Sequence, residues 1–533
     1  MTKYLIKRLI RGLISVVIAI TVIMILVYAL SNRNDIFKKD PVISKMQSNE
    51  RITYRYEKWE EYGYLDYVTY ADYLTMLVNN GELDSTTRDE AAVIGKTADK
   101  DSDLARVYTE KFKSYYESKG YQTIRLDADM ERYWSGGKQV LFAYKDIPIF
   151  TRLWDFFTGL LEVDSIHYVE NDEDLVTRQE DGTYVQTKRG LTFTFYDPAY
   201  GGKKFSPAII GNGTKHKYLL YFDNKFPFIH QNVVKIHLGQ SFAINQGVDV
   251  AETMIETQGT IDMKETIFPT GYSEISADNL HSATFSAKTN LEDPFYTQRY
   301  IDKYANVSTD KKSMSRIALS FTLGILAAIM SYLIGVPAGI AMARNKDKWY
   351  DKLSTAYIVF IVAVPSLAYI FMFRELGIAT GLPGRYDTDS TSPLQYVLPI
   401  VSLALPSIAG LMRWLRRYMI DQMNSDYVKF ARSGGMSERG IFSRHIFKNA
   451  VIPLVQGIPG TVLGALVGAF ITETVYAVPG TGRMLTDAIT QKDNAVIIGL
   501  AGFYGLLSVI SLILGDILMA MVDPRISFSD KAR

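Results

Sequence analysis

The sequence predicts an all-α polytopic membrane bundle of six transmembrane helices, interrupted by a large inserted α+β domain. Three observations carry this. Six apolar runs have spanning length, a stretch of 280 residues (33–312) between the first two runs is polar and of ordinary composition, and basic residues gather in alternate short loops. The average over the chain hides this division: 533 residues are 47% hydrophobic with a net charge of +1. The near-zero charge gives no sign of a nucleic-acid partner. The chain has no cysteine, which excludes a disulfide scaffold, an iron–sulfur cluster and a thiolate zinc site.

A bilayer core takes about 20 apolar residues per helix. Residues 12–31 form the first run, longer than a signal peptide's apolar core and ending in Leu30-Ser31-Asn32-Arg33, so an uncleaved anchor is expected. The others are expected at 317–343, 353–373, 396–414, 451–471 and 495–522. Orientation follows from short loops. The amino-terminal end carries Lys3, Lys7, Arg8 and Arg11, and the loop after the second run Arg344, Lys346, Lys348 and Lys352. The loop after the fourth run holds eight basic residues between Arg413 and Lys448, whereas each short loop on the opposite side holds two. This places both termini in the cytoplasm and 33–312 outside. The domain limits expected are 1–32, 33–312, 313–522 with a cytoplasmic loop at 415–450, and a tail at 523–533.

Within the spans, Pro337, Pro365, Pro399, Pro406 and Pro459 each remove a backbone hydrogen bond and permit a bend. Gly460, Gly464 and Gly468 share one helical face, as do Gly335 and Gly339. Such faces allow close helix packing, with motion between two states as the alternative. Asp516 lies within the last run; an intramembrane acid is a functional candidate by default, and near the cytoplasmic end a hydrated structural residue fits equally.

In the insert, 51–120 reads as mostly helical and 121–309 as strands separated by Gly/Asn/Pro turns. Two segments, 147–161 and 226–238, are amphipathic at helical spacing; they fit helices lying along the membrane surface, covering the outer mouth of the bundle, or filling the domain core. Gly95-Lys96-Thr97 resembles the end of a phosphate-binding loop, but Glu90 stands where the first glycine belongs and no strand precedes it. His230 and His237 share a helical face without a third ligand, and no metal or catalytic constellation emerges.

The cytoplasmic loop is the segment with most information. Its centre, 427–438, reads as a short helix broken by Gly434-Gly435 and restarted by Ser437, which can cap the next helix. A small helix displayed at the membrane face suits docking to a partner better than chemistry. Ala431 and the two glycines would let it enter a groove closely. A basic loop that merely enforces topology is the plainer alternative.

The segment from Asp426 to Pro453, with Ala431, Gly435, Ser437-Glu438, His445 and Asn449-Ala450, resembles the signature loop of ABC-importer permease subunits. The later run from Glu473 through Pro479-Gly480-Thr481-Gly482, followed by Asp487-Ala488-Ile489, is similar to the first membrane subunit of oligopeptide and dipeptide permeases, as is the ending Asp523-Pro524-Arg525-Ile526. The insert, in the segments from Gly213 to Phe222 and from Phe226 to Asn232, is similar to that of the Ami-type variant found in Gram-positive bacteria. Lys429 and Phe430 depart from the general signature, which has acid and alanine there.

The resemblance implies a permease that does no covalent chemistry itself. Its ATPase-coupling residues would be Tyr427, Lys429, Ala431, Arg432, Gly434, Gly435, Met436, Ser437 and Glu438, and its external-mouth motif Glu473, Pro479, Gly480 and Gly482. It implies as partners a second homologous permease, two ATPase subunits that bind the ATP and magnesium, an extracytoplasmic peptide-binding lipoprotein, the peptide and the bilayer, with no cofactor on this chain. Two rival readings remain at this point. One is the same importer type carrying another cargo, such as a signalling peptide, a dipeptide or a metal chelate. The other is a membrane-anchored external receptor or enzyme, against which five further spans argue.

Overall fold

The computed structural model describes residues 2–30, 32–46, 48–128, 139–163, 234–267 and 311–522, with the separate strand segments 175–178, 184–187, 190–197, 203–212, 219–221, 273–276, 283–285 and 300–304. Helix α1 (Thr2–Leu30) is the amino-terminal span. The insert then opens with α2 (Ser48–Glu61), α3 (Tyr70–Asn79), α4 (Ser85–Ala91) and α5 (Asp103–Ser118), wrapped around a three-stranded antiparallel sheet. Its strands are β1 (Leu65–Thr69), β2 (Gln122–Leu126) and β3 (Val140–Asp146), with β3 central. Alternation along β3 builds two cores: Leu141 and Ala143 face the cluster of Tyr70, Leu74 and Phe112, while Phe142 faces Ile36, Phe37 and Trp59. The largely helical first part and the strands after it agree with the sequence expectation.

Of the two amphipathic segments, 147–161 is a helix, α6 (Ile149–Gly159). The other departs from expectation. Val234–Ile236 is a strand paired antiparallel with Leu161–Val163, because three residues rich in β-branched side chains find an open strand edge there. Residues 226–233 of that segment, His230 among them, lie outside the described residues, as does the ending 523–526. His237 stands half-exposed, 3.7 Å from Asp249. The glycine of Gly95-Lys96-Thr97 follows helix α4 and serves packing. Its carbonyl accepts from Arg125 and its amide donates to Asp101, and a Cβ there would lie 2.4 Å from the Lys100 carbonyl.

After α7 (Val250–Ile255), the last helix of the insert among the described residues, the bundle proper begins with α8 (Arg316–Arg344), α9 (Trp349–Ala363) and α10 (Ser366–Ala379). It continues with α11 (Val397–Met423), the short α12 (Asp426–Ser433) and α13 (Glu438–Ile441), then α14 (Lys448–Val475), α15 (Thr481–Gln491) and α16 (Asn494–Val522). Five of the described helical stretches are long and apolar enough to cross a membrane, and α9 with α10 makes a sixth if the pair is one span.

That pair corrects the expected continuous helix at 353–373. The two halves meet at 114° across Val364-Pro365. Val364 is extended, with φ −88° and ψ 130°, because the proline ring disfavours a helical conformation in the residue before it. Pro365 thus ends a helix rather than bending one. Pro399 sits in the first turn of α11, where its missing N–H costs nothing. Pro337, Pro406 and Pro459 lie inside helices as expected, and Pro453 joins them. The loop expected at 415–450 is also shorter. Helix α11 runs nine residues past Trp414, to Met423, and a π-helical turn, Phe442–Phe447, joins α13 to α14.

The bundle is pinned where helices approach closely. A Cβ on Gly335 would lie 3.1 Å from Leu411 Cβ, and one on Gly339 3.1 Å from Leu415 Cβ, so these two glycines seat α8 on α11. A buried bidentate pair, Arg416 Nε and Nη2 to Asp351 at 2.6 Å each, ties α9 to α11. Asp516 has an equally structural part: it pairs with Arg8 and accepts from the Tyr4 hydroxyl at 3.3 Å, clasping α1 to α16.

Candidate functional site

A hairpin at one end of the bundle is built by α12 and α13. Val428 is fully buried among Leu415, Met419, Ile441 and Leu454, so α12 is hung from the bundle by its own core side chain. The Tyr427 hydroxyl donates to Gln422 Oε1 at 2.5 Å and accepts from Asn449 Nδ2 at 3.2 Å, bridging the start of α12 to α11 and α14. The Gly434 amide donates to the Phe430 carbonyl, the Gly435 amide to Arg432, and the Met436 amide to Ala431 at 3.2 Å. This closure requires positive φ at Gly435, which is +79°. Ser437 then caps α13, its hydroxyl accepting from the Gly440 amide at 3.2 Å. Arg432 grips Glu438 with two hydrogen bonds, 2.6 and 3.2 Å, holding the projection shut from outside. Lys429 pairs with Asp426 on the exposed surface at 2.9 Å, where Lys429 holds the Asp426 carboxyl below its ordinary range.

All nine residues singled out in this loop therefore lie on one hairpin. Sequence reasoning noted Phe430 only as a departure from a pattern. The structure leaves its ring 75% exposed at the tip, beside Gly434 and Gly435. That exposure is set by the fold and left no signal in the sequence.

The second constellation lies at the opposite end of the bundle. Glu473 is fully buried and turns its carboxylate onto the first turn of α15. Ser320 Oγ donates to Oε1 at 2.6 Å and the Arg483 amide to Oε2 at 2.8 Å. The carboxylate thus satisfies orphan donors at a helix start while pinning α8 through Ser320. The glycine spacing follows from this contact. A Cβ on Gly480 would lie 2.4 Å from the Glu473 carboxyl carbon, and one on Gly482 2.8 Å from the Phe470 backbone. The Pro479 carbonyl accepts from Gln258 of the insert at 2.9 Å.

The three glycines of α14 behave differently from the packing face their spacing suggests. Nothing lies within 4 Å of a Cβ on Gly460 or Gly464, and only Leu403 Cδ1, at 3.9 Å, approaches Gly468. Packing on α14 falls instead to Gly324 of α8, 3.0 Å from Leu466, and to Gly515 of α16, 2.8 Å from the Gln456 carbonyl.

Residues 335–528 match the family of binding-protein-dependent transport system inner membrane components. The chain is 33% identical to the oligopeptide transport system permease protein AmiC of Streptococcus pneumoniae, over 100% of this chain and 99% of that protein. It belongs to the oligopeptide permease family. Shorter relatives match only in part: the dipeptide permease DppB of Bacillus subtilis is 29% identical over 40% of this chain and 69% of its own length. The oligopeptide permease OppB of Haemophilus influenzae is 24% identical over 46% of this chain and 85% of its own length. The permease is a multi-pass membrane protein of the ABC-transporter class.

The permease's insert is fastened to the bundle by a residue the sequence did not flag. Asp493, fully buried just before α16, accepts at Oδ2 from Ser241 Oγ (2.8 Å) and from the amides of Phe242, Ala243 and Ile244 (2.9–3.2 Å). A lone acid between two polar neighbours reads as a loop residue; only the fold brings a segment some 250 residues earlier around it. Val250 and Met254 of α7 complete the joint against Met484, Val496 and Leu500.

Proposed function

We propose that this permease is the first membrane subunit of an ATP-driven peptide importer. The observation that carries the reading is the α12–α13 hairpin: a rigid projection, rooted by Val428 and tipped by Phe430, on a chain related along its full length to an oligopeptide permease. Its partners are a second homologous permease, two ATPase subunits and an external peptide-binding lipoprotein. ATP and magnesium belong to the ATPases, so this chain needs no cofactor of its own. The membrane is the plasma membrane of a Gram-positive bacterium, with both termini in the cytoplasm and 33–312 outside; the loop charges support that orientation.

Closure of the ATPase pair on ATP pushes the hairpin, and α11 and α14 carry the displacement inward because both are fused to it. The peptide passes between the two permeases. The open glycine face of Gly460 and Gly464 supports a surface turned to that path or to the second permease. Nucleotide and loaded binding protein each shift the bundle only by binding one of its states more tightly. Two measurements test this: co-purification of ATP-hydrolysing subunits with the chain, and uptake of labelled peptides by cells with and without it. The reading predicts both; a chain that purifies without ATPase subunits and whose loss leaves peptide uptake unchanged contradicts it.

A further inference from the structure

A cavity of about 280 Å³ lies where the insert meets α1 and α16. Its level is set by its walls: Tyr28 is two residues from the end of α1, and Asn494 is the first residue of α16. It therefore opens at the membrane boundary on the insert side. One wall is apolar, made by Met24, Phe156 and Ile498 among others. The polar wall holds Arg152 of α6, whose guanidinium carbon lies 3.6 Å from the centre of the Tyr28 ring and 4.1 Å from that of Tyr64.

Among the described residues, Arg152 Nη2 and Asn494 Oδ1 are buried side-chain polar atoms that lack a hydrogen-bond partner, and both belong to residues lining this cavity. Buried polar groups are nearly always paired, so each such exception asks for an explanation. Asn494, 3% exposed, spends its amide nitrogen on the Tyr64 hydroxyl at 2.9 Å, leaving its oxygen as an acceptor. Arg152 offers a cation and a donor. A ligand satisfying both must carry an anionic oxygen and, a short distance away, an O–H or N–H group. Glu61 and Asp155, also in the wall, favour such a donor as well.

Helix α6 supplies a second, independent observation. Its Leu153 packs on Ile20, Met24 and Ile498, while Phe150 and Trp154 on the adjoining face are 76% and 70% exposed. Aromatic side chains at this level match the belts that sit among lipid head groups. The exposed apolar surface of α1, including Ile18, Val22 and Leu26, continues beside them.

From these observations we propose that the cavity holds the head group of a phospholipid from the adjoining leaflet. Its phosphodiester oxygen sits on Arg152, its hydroxyl or amine donates to Asn494 Oδ1, and its acyl chains run down the apolar wall. The volume lies at the lower edge of small-molecule sites, roughly 300–1,000 Å³, so it takes a head group and not a whole lipid. The bound lipid is then a strut between insert and bundle. A head group with phosphate but no donor, such as phosphocholine, is disfavoured, because it leaves the asparagine oxygen unpaired.

The test titrates the purified full-length chain in detergent with dihexanoyl phosphatidylglycerol, dihexanoyl phosphatidylcholine and glycerol phosphate, following the thermal unfolding midpoint. Phosphatidylglycerol should raise the midpoint at a concentration about tenfold below that of the other two, one charged or donor hydrogen bond being worth about that factor. Arg152→Gln should raise the phosphatidylglycerol requirement about tenfold. Asn494→Leu should abolish the preference over phosphatidylcholine while leaving the response to phosphate, so the proposal remains testable if Arg152→Gln fails to fold. Equal response to the two lipids, or variants that titrate like the parent, would overturn the proposal. A response to glycerol phosphate as strong as to phosphatidylglycerol would make this a site for soluble phosphates and would overturn the lipid assignment.

Discussion

Single residues in this permease are held by contacts that leave little choice of side chain. Gly482 is one such case. A methyl group added there meets backbone atoms of Phe470 at 2.8 Å, and backbone cannot rotate aside. Gly482→Ala should therefore cost on the order of 1–3 kcal/mol as an overpacked site. The chain's thermal unfolding midpoint in detergent is expected to drop, and a midpoint equal to the parent's would show that α15 can shift freely off α14. The Asp101–Arg125 pair in the insert makes a pH prediction. Burial pushes the Asp101 carboxyl up, but two hydrogen bonds from Arg125 (2.7 and 2.9 Å), the Gly95 amide and the Arg125 charge outweigh it and hold the carboxyl below its ordinary value. A depressed folded-state pKa contributes stability that is present above the unfolded value, about 3.9, and is lost as pH falls through the folded one. Acid should thus destabilise the insert. Asp101→Asn should be less stable at neutral pH yet lose less on acidification, as read by near-ultraviolet circular dichroism of the tyrosine-rich core.

At the scale of elements, the account turns on joints. The joint between insert and bundle is the Ser241–Ile244 segment folded around the Asp493 carboxylate. Removing the acceptor takes the partner from Ser241 Oγ and from the Phe242, Ala243 and Val496 amides, while the Ile244 amide keeps Ser241 Oγ at 3.2 Å; each lost buried bond costs about 1–3 kcal/mol if no water replaces it. Asp493→Ala should loosen this joint and leave the two-core fold of α2–α5 and β1–β3 intact. Hydrogen exchange should rise in 238–256 and stay unchanged in β3; uniform protection in the variant would mean the joint is carried by α7 alone. Some elements were readable in advance. The break at Gly434-Gly435 and the Ser437 cap are local features, set by backbone freedom and one side chain, so sequence sufficed. The Val364-Pro365 break was read as a bend inside one helix, because a single proline inside an apolar run is compatible with either outcome and only the packing of the two halves decides. The continuation of α11 to Met423 was hidden because its charged residues look like loop. Charge there follows from leaving the membrane, not from leaving the helix.

For the whole molecule, hydropathy placed the spans, and loop charge supports one orientation, since both are properties of composition along the chain. Contacts between distant segments were out of reach. Glu473 was singled out by resemblance, but its part as the cap of α15 is visible only in the fold. Asp493 and the Asp351–Arg416 pair were not singled out at all. Gly460 and Gly464 were expected to pack and stand open instead. The orientation has a direct check, since a chain without cysteine accepts single reporters cleanly. In intact cells a membrane-impermeant thiol reagent should label Thr391→Cys and spare Ser433→Cys; the reverse pattern would invert the topology and remove the hairpin from the ATPases. The central claim, that the hairpin transmits the ATPase stroke, rests on Gly435. Its φ of +79° disfavours any side chain, by about 1–2 kcal/mol and more for a β-branched one, although among the described residues none beyond its chain neighbours lies within 4 Å of its Cβ position. Gly435→Val therefore disturbs the hairpin alone, outside the membrane and away from the bundle core. The decisive measurement is peptide uptake per unit of permease in the membrane for this variant against the parent. The account predicts normal abundance with sharply reduced uptake, and a variant of normal abundance that takes up peptide at the parental rate would contradict it.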